Sequence, residues 1–340
     1  MKKVSSLPRR AVLGSCAAIA LISLLIGAAA PAAAAPPPPK TLKVEHPVIA
    51  LMGLYAANAF AQTIERAAQR EAHKLGAKLI YAAPVTWGGS YQVPILDALL
   101  ARNPNAIIVD PDNSTEENPT LARIKAAGIP IIDIDNEISD PSLALSFIGV
   151  NGVAAGKLAG MKLGALLHGV GTVAVIGIAP GNETSARREK GFLEGIKHYP
   201  RIKVVATEYG GLSQTGGASA AAALLTRYHG LNGIFCTAGL LAGGAGRAVV
   251  SAGEKGKVIV MGFDAPPPEV KLLEEHIVSA TVIQQPRLYG KLGVDYAYDA
   301  VEGRLSLIKK VVHPPAIPAT ADNIDTPQMR RYWYTFKSVR

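Results

Sequence analysis

Val48-Ile49-Ala50-Leu51-Met52, followed thirty residues later by Lys78-Leu79-Ile80-Tyr81, is the stretch on which the fold turns. Both runs are short, and the first is apolar on both faces. Such a strand must be covered on both sides, which is the habit of parallel sheets. The segment between them has helical spacing. Ile64, Ala67, Ala68, Ala72 and Leu75 share one stripe, while Gln62, Glu65, Arg66, Gln69 and Lys74 lie mainly elsewhere. Gly76 supplies a stop, because glycine ends a helix in the left-handed conformation without a steric penalty. Strand, helix and strand in this order predict a parallel pair joined by a right-handed crossover.

The same unit recurs in outline at Thr172–Gly177 and Lys203–Thr207. Apolar runs at Ala106–Val109, Pro130–Ile134, Gly233–Cys236, Lys257–Gly262 and Ala280–Ile283 extend the series. Leu121, Ile124 and Ala127, closed by Gly128-Ile129-Pro130, repeat the helix design, and Phe192 and Ile196 mark another helix before Pro200. These strands are many for one compact sheet. They predict an α/β protein of two similar lobes, each a parallel sheet covered by helices on both faces. The change of lobe falls near Gly149-Val150-Asn151-Gly152.

The first 35 residues are of another kind. Lys2, Lys3, Arg9 and Arg10 open the chain without an acid, Ala17 to Ala30 is apolar apart from Ser23 and Gly27, and small residues run on to Ala35. Basic, apolar, then small is the order of a secretory signal peptide. The apolar run is about 14 residues, against about 20 needed to span a bilayer, so cleavage of residues 1–35 is expected. Pro8-Arg9-Arg10-Ala11-Val12-Leu13-Gly14 resembles a twin-arginine export motif and suits general secretion equally. Leu13-Gly14-Ser15-Cys16 is not read as a lipoprotein site, because Cys16 precedes the apolar run. Cys236 is then the sole cysteine of the exported part, which leaves no intrachain disulfide, and its apolar strand marks it as a core residue. The formal charge is +9, with four basic residues in the leader. The remaining excess is too modest to argue for a nucleic-acid partner.

In open parallel sheets, ligands lie beyond the carboxyl ends of the strands. Asn58 and Phe60 follow the first strand, and Trp87 and Tyr91 the second. Asp110 ends Ile107-Ile108-Val109-Asp110-Pro111, and Asp135 and Asn136 end Ile132-Asp133-Ile134-Asp135-Asn136. Arg188 follows the first strand of the second lobe, Asp264 ends Val260-Met261-Gly262-Phe263-Asp264, and Gln284 ends Thr281-Val282-Ile283-Gln284. Each Asp alone also suits a turn. As a set they suit a polyhydroxylated molecule: carboxylates accept from hydroxyls, Asn and Gln both donate and accept, and aromatic faces pack on sugar C–H faces. For Trp87 and Tyr55 a stacking role and a rim or core role stay open.

Several segments resemble a known family. Val48-Ile49-Ala50-Leu51 with Asn58-Ala59-Phe60, Glu71-Ala72-His73-Lys74-Leu75-Gly76, Gly128-Ile129-Pro130-Ile131-Ile132, Lys190-Gly191-Phe192, the Gly262-Phe263-Asp264 segment and Ala280-Thr281-Val282-Ile283-Gln284-Gln285-Pro286 are similar to the type I periplasmic binding proteins. The branch resembled is the ribose-binding components of ABC transporters, from about Val48 to Gly303. The resemblance implies a three-segment hinge, with crossings near Gly149–Gly152, Gln284–Pro286 and Val311–Pro314. The lobes would be residues 43–150 with 285–311 and residues 151–284 with 312–321, leaving 322–340 as a tail. It also implies that Asn58 and Phe60 match a family Asn and a stacking Phe, and that Asp135, Arg188, Asp264 and Gln284 match sugar-binding positions. Asp110 falls where ribose binders carry Asn. Asn136 replaces the Arg of an Asp-Arg pair, Ala61 a second Phe, Ala238-Gly239 an Asn-Asp, and Leu212 an aromatic residue. The pocket is therefore expected to be less polar on one side, and its solute need not be ribose.

Catalytic signatures are missing from the sequence. There is no phosphate loop, since the Gly-rich run Gly239–Gly246 lacks its Lys and reads as close helix packing. There is no Gly-x-Ser-x-Gly elbow, and no His pair has metal-ligand spacing on a helix. Asp133 and Asp135 alternate across a strand and make a poor acid–base pair. Arg330-Arg331-Tyr332-Trp333-Tyr334 in the tail is expected to pack on the body. The reading is a non-enzymatic periplasmic protein, expected to be monomeric and without cofactor or metal. It would bind a small polar solute and serve an ABC permease. Sensing for a membrane kinase or chemoreceptor is the alternative. A DNA-binding regulator of the same fold would need an N-terminal helix pair where this chain has a leader.

Overall fold

Short runs of Val and Ile need partners at both edges and cover on both faces, and the chain supplies both. The computed structural model describes residues 44–112 and 115–334; the leader expected over 1–35 and the last residues of the tail, 335–340, lie outside the described residues. In chain order the elements begin β1 (Val48–Met52), α1 (Ala59–Lys74), β2 (Lys78–Ala82), α2 (Gly89–Leu100), β3 (Ala106–Val109), α3 (Asn118–Ala126), β4 (Ile131–Ile134) and β5 (Ser146–Ile148). Next come α4 (Gly152–Leu166), β6 (Val170–Gly177), α5 (Glu183–Ile196), β7 (Arg201–Tyr209), α6 (Gln214–Arg227), β8 (Gly233–Cys236), α7 (Gly239–Ser251), β9 (Ile259–Phe263), α8 (Pro267–Glu274) and β10 (Ala280–Ile283). The chain closes with α9 (Pro286–Val301), β11 (Val311–Val312), β12 (Ile317–Thr320) and α10 (Pro327–Arg330).

These strands form two sheets of the same design, β11-β5-β4-β3-β1-β2 and β12-β10-β9-β8-β6-β7. Alternation along each strand decides which helices it meets. Ile49 and Leu51 pack with Ile64 and Ala68 of α1 and Val294 and Ala297 of α9. Ala50 and Met52 turn the other way, to Leu96 and Leu99 of α2 and Leu121 and Ile124 of α3. In the second sheet Ala174, Ile176 and Cys236 meet α6 and α7, while Val173, Val175 and Phe235 meet α4 and α5. The expected two-faced cover is therefore present in both sheets.

Three strands go beyond the nine read from the sequence. β5 and β11 span only three and two residues, and β12 contains Pro318. β12 runs antiparallel to β10, an exception to otherwise parallel pairing. The chain passes between the sheets after β5, after β10 and after β11. The tail packs on the body: Tyr334 is fully buried, and its N–H donates to the Ala265 carbonyl at 3.0 Å.

Helix pairs press together where the sequence is glycine-rich. A Cβ on Gly191 of α5 would stand 1.9 Å from the Val153 carbonyl oxygen of α4, and one on Gly244 of α7 would stand 1.9 Å from that of Gln214. Only glycine permits such backbone approach. The run Gly239–Gly246 is thus a packing surface, as its lack of a Lys implied.

Candidate functional site

The two sheets present matched strand ends to a cleft. Asp135 follows β4 and Asp264 follows β9, the third strand of each sheet in the same order. Both take a left-handed backbone, with φ of 65° and 73°, which Asp tolerates better than bulkier residues. Each N–H stays tied to the neighbouring strand, Asp135 to the Ile148 carbonyl at 3.0 Å and Asp264 to that of Val282 at 2.9 Å. The helix N-caps repeat as well. Asn58 Oδ1 accepts from the N–H of Phe60 at 2.7 Å, and Asn182 Oδ1 accepts from that of Ser185 at 2.8 Å. These caps satisfy orphan donors at the helix that follows β1 in one sheet and β6 in the other.

The cleft holds two adjoining cavities of about 280 and 320 Å³. Both are lined by Trp87, Asp112, Asp135, Asn136, Asn182, Thr184, Arg188 and Gln284. Asn58, Phe60, Asp264, Glu269 and Tyr334 join them in one cavity. Eight of the nine sequence-derived residues therefore meet there. Asp110 lines neither cavity. It is fully buried, and both its carboxyl oxygens lack a hydrogen-bond partner. Burial, then the charges of Asp135, Asp112 and Asp133, push its carboxyl well above the usual range.

Arg188 is 5% exposed, and its Nη1 donates to the Thr237 carbonyl at 2.8 Å. Its guanidinium lies over the Phe263 ring, 4.2 Å from the centroid, a favourable cation–π placement. Nε has no partner. Burial pushes the Asp135 carboxyl up to about 7; the Arg188 charge opposes that rise and Asp264 adds to it. Asp264 Oδ1 accepts from Gln284 Nε2 at 2.9 Å and from the Tyr334 hydroxyl at 2.9 Å.

Asn136 has a different task. Its Nδ2 donates to the Pro111 carbonyl at 3.0 Å, and its Oδ1 accepts from the Thr184 hydroxyl at 2.8 Å. It thus ties the end of the first sheet to α5. The pair Arg187 and Glu137, at 3.1 Å, lies beside this tie. Phe60 stands edge-on to Tyr289 and Tyr334, at 5.9 and 5.6 Å between centroids, arrangements aromatic pairs favour. Trp87 sits at the rim, 40% exposed.

The sequence reading missed Glu269 and Tyr334 as lining residues; Asp112, which flanks the turn after Asp110 in a place better suited to binding than to catalysis, lines both cavities. Asp112 accepts from the Gly88 N–H, and burial pushes its carboxyl up to about 7. Tyr334 arrives from the tail, where a basic, aromatic end is the available signal. Among the described residues no group of three or more His, Cys, Asp or Glu side chains is arranged to hold a metal ion.

Residues 49–305 match a family model described as the periplasmic binding protein domain. The chain belongs to that family. This periplasmic binding protein is 29% identical over 251 residues to the D-allose-binding periplasmic protein of Escherichia coli, covering 72% of this chain and 81% of that one. It is 24% identical over 258 residues to the ribose import binding protein of Bacillus subtilis, covering 76% and 82%. Among solved structures, an ABC transporter solute binding protein from Agrobacterium vitis, bound with α-D-tagatopyranose, superposes with a TM-score of 0.80 at 29% identity. That match covers 85% of this chain and 99% of the other. These relatives are binding proteins and not enzymes.

Proposed function

We propose that this periplasmic binding protein captures a small hydroxylated solute, a sugar or polyol, between its two lobes and delivers it to an ABC permease as a monomer. The observation that carries the reading is the pair Asp135 and Asp264 lining one cavity, with Arg188 opposing the charge of Asp135. Two carboxylates and a guanidinium supply acceptors and donors for adjacent hydroxyls, and charge-assisted bonds of this kind are the stronger ones. Phe60 and Trp87 offer faces for a ring. The names of the relatives, which bind allose, ribose and tagatose, support the same class.

The lobes are residues 43–150 with 285–311 and residues 151–284 with 312–321, and the three crossing segments are the hinge. Solute bound to both strand ends favours the closed form only if it binds closed better than open. The permease then selects that form. Residues 1–35 serve export to the periplasm. A thermal-shift screen against pentoses, hexoses and polyols tests the reading. A true solute at a hundred times its Kd stabilises by about 2.7 kcal/mol. A complete screen without a shift, or a shift untouched by Asp264→Ala, sinks it.

A further inference from the structure

Glu269 lines the site, but the hydroxylated-solute reading gives it no role. It lies in the first turn of α8, is 4% exposed, and lines the cleft. Its Oε1 has no hydrogen-bond partner. Gly239, which faces it, offers no side chain: a Cβ there would stand 3.2 Å from Glu269 Cγ. The charges closest to its balance are Asp264 and, from across the cleft, the phenol of Tyr55. Neither brings a positive charge.

The cavity that Glu269 lines is unbalanced in the same sense. Among the described residues lining it, Asp112, Asp135, Asp264 and Glu269 are matched by one cation, Arg188. That guanidinium already serves Thr237 and Phe263. Asp264 has neutral donors in Gln284 and Tyr334, and Glu269 has none of this kind. The walls near it, Ala238, Leu240, Pro266 and Pro268, offer no polar side chain to answer it. An enclosed carboxylate whose one donor is its own backbone N–H, with no cation beside it, is costly. Either it keeps a proton or a ligand brings the missing charge.

We propose that the solute carries a protonated amine and that Glu269, with Asp264 beside it, receives the ammonium. The class is an amine-bearing sugar or polyol. This rests on the hydroxylated-solute reading above and narrows it. Burial pushes the Glu269 carboxyl up to about 7, against its own backbone N–H and with Asp264 adding, so an arriving ammonium ionises it and releases a proton. A plain helix-terminus role for Glu269 predicts neither selectivity nor proton release.

Calorimetric titration with matched pairs separates the cases: D-glucose and D-glucosamine, D-galactose and D-galactosamine, sorbitol and D-glucamine. In at least one pair the amine is expected to bind about tenfold tighter or more, a gap of about 1.4 kcal/mol. Glu269→Gln is expected to erase that preference by weakening the amine member about tenfold more than the neutral one. Neutral members binding as tightly as their amines in every pair overturn the amine alone and leave the hydroxylated-solute reading standing. A preference that survives Glu269→Gln overturns the role of that residue. No heat from any of the six overturns the amine, and the hydroxylated-solute reading falls only with the complete thermal-shift screen. If Glu269→Gln does not fold, wild-type titration near pH 7 in phosphate and in HEPES decides. A buffer-dependent heat for the amine only supports the proposal, and its absence defeats it.

Discussion

Place the rims of the two sheets side by side, position by position from the strand ends. Asn58 answers Asn182 and Asp135 answers Asp264, so the cap and the left-handed turn repeat. Elsewhere the halves part. Trp87, just before the N-cap of α2, answers Leu212, just before that of α6. Asp110 answers Thr237, Asp112 answers Gly239, and Asn136 answers Ala265. Where the backbone itself needs a particular side chain, the two halves agree. Where the backbone makes no such demand, the first half is the more acidic and the second the more apolar. The scaffold is symmetric, and its chemistry is not.

Several measurements break or sharpen that contrast. The largest effect belongs to Arg188, the buried cation of the second half. Arg188→Ala leaves Asp135 without its opposing charge, and removing one partner of such a pair costs about 2–5 kcal/mol of affinity. Calorimetry with whichever solute the screen yields reads the loss; a change under about threefold, or roughly 0.65 kcal/mol, removes Arg188 from the site. Next comes the packing that holds it. Gly191→Ala drives a methyl into the α4 backbone, and overpacking of this kind costs about 1–3 kcal/mol of stability or more, seen as a lower urea midpoint. An unchanged midpoint means that α4 and α5 sit further apart than described.

The third effect is on pH. The carboxyls of Asp112, Asp135 and Glu269 are each pushed up to about 7, chiefly by burial. Their ordinary values lie near 4. Between these limits the folded chain holds protons that the unfolded chain has released. Stability therefore falls as pH rises through that window and levels above it. The melting temperature of the solute-free protein is expected to drop by several degrees from pH 5 to pH 8. A rise over the same range contradicts the acidic cleft. The smallest effect is at Asp110. Because its carboxyl is enclosed away from both cavities, Asp110→Asn is expected to change solute affinity by less than about threefold, roughly 0.65 kcal/mol. A larger loss puts Asp110 on the solute.

The sequence made the sheets legible because Val- and Ile-rich runs are apolar on both faces. It hid β5 and β11, which are too short to show a pattern, and β12, where Pro318 interrupts one. Within the site, Asp135 and Asp264 were readable because sheet order dictates which strand ends meet a cleft. Asp110 shows the limit of that rule. It continues β3 by one residue, its N–H donating to the Met52 carbonyl at 3.0 Å. Strand alternation then puts it in phase with Ile108 and into the interior. Glu269 and Tyr334 were not readable, since one depends on a facing glycine and the other on the return of the tail.

That returning tail sets an order of events. The Tyr334 hydroxyl bonds Asp264 and accepts from the Gln284 N–H at 3.2 Å, so a chain cut before residue 334 has both sheets but an unfinished cleft. During synthesis or export, capacity for solute comes last, after the body that holds it. A fusion joined directly after Tyr334 adjoins the cleft wall, and a tag there reports on binding as much as on folding.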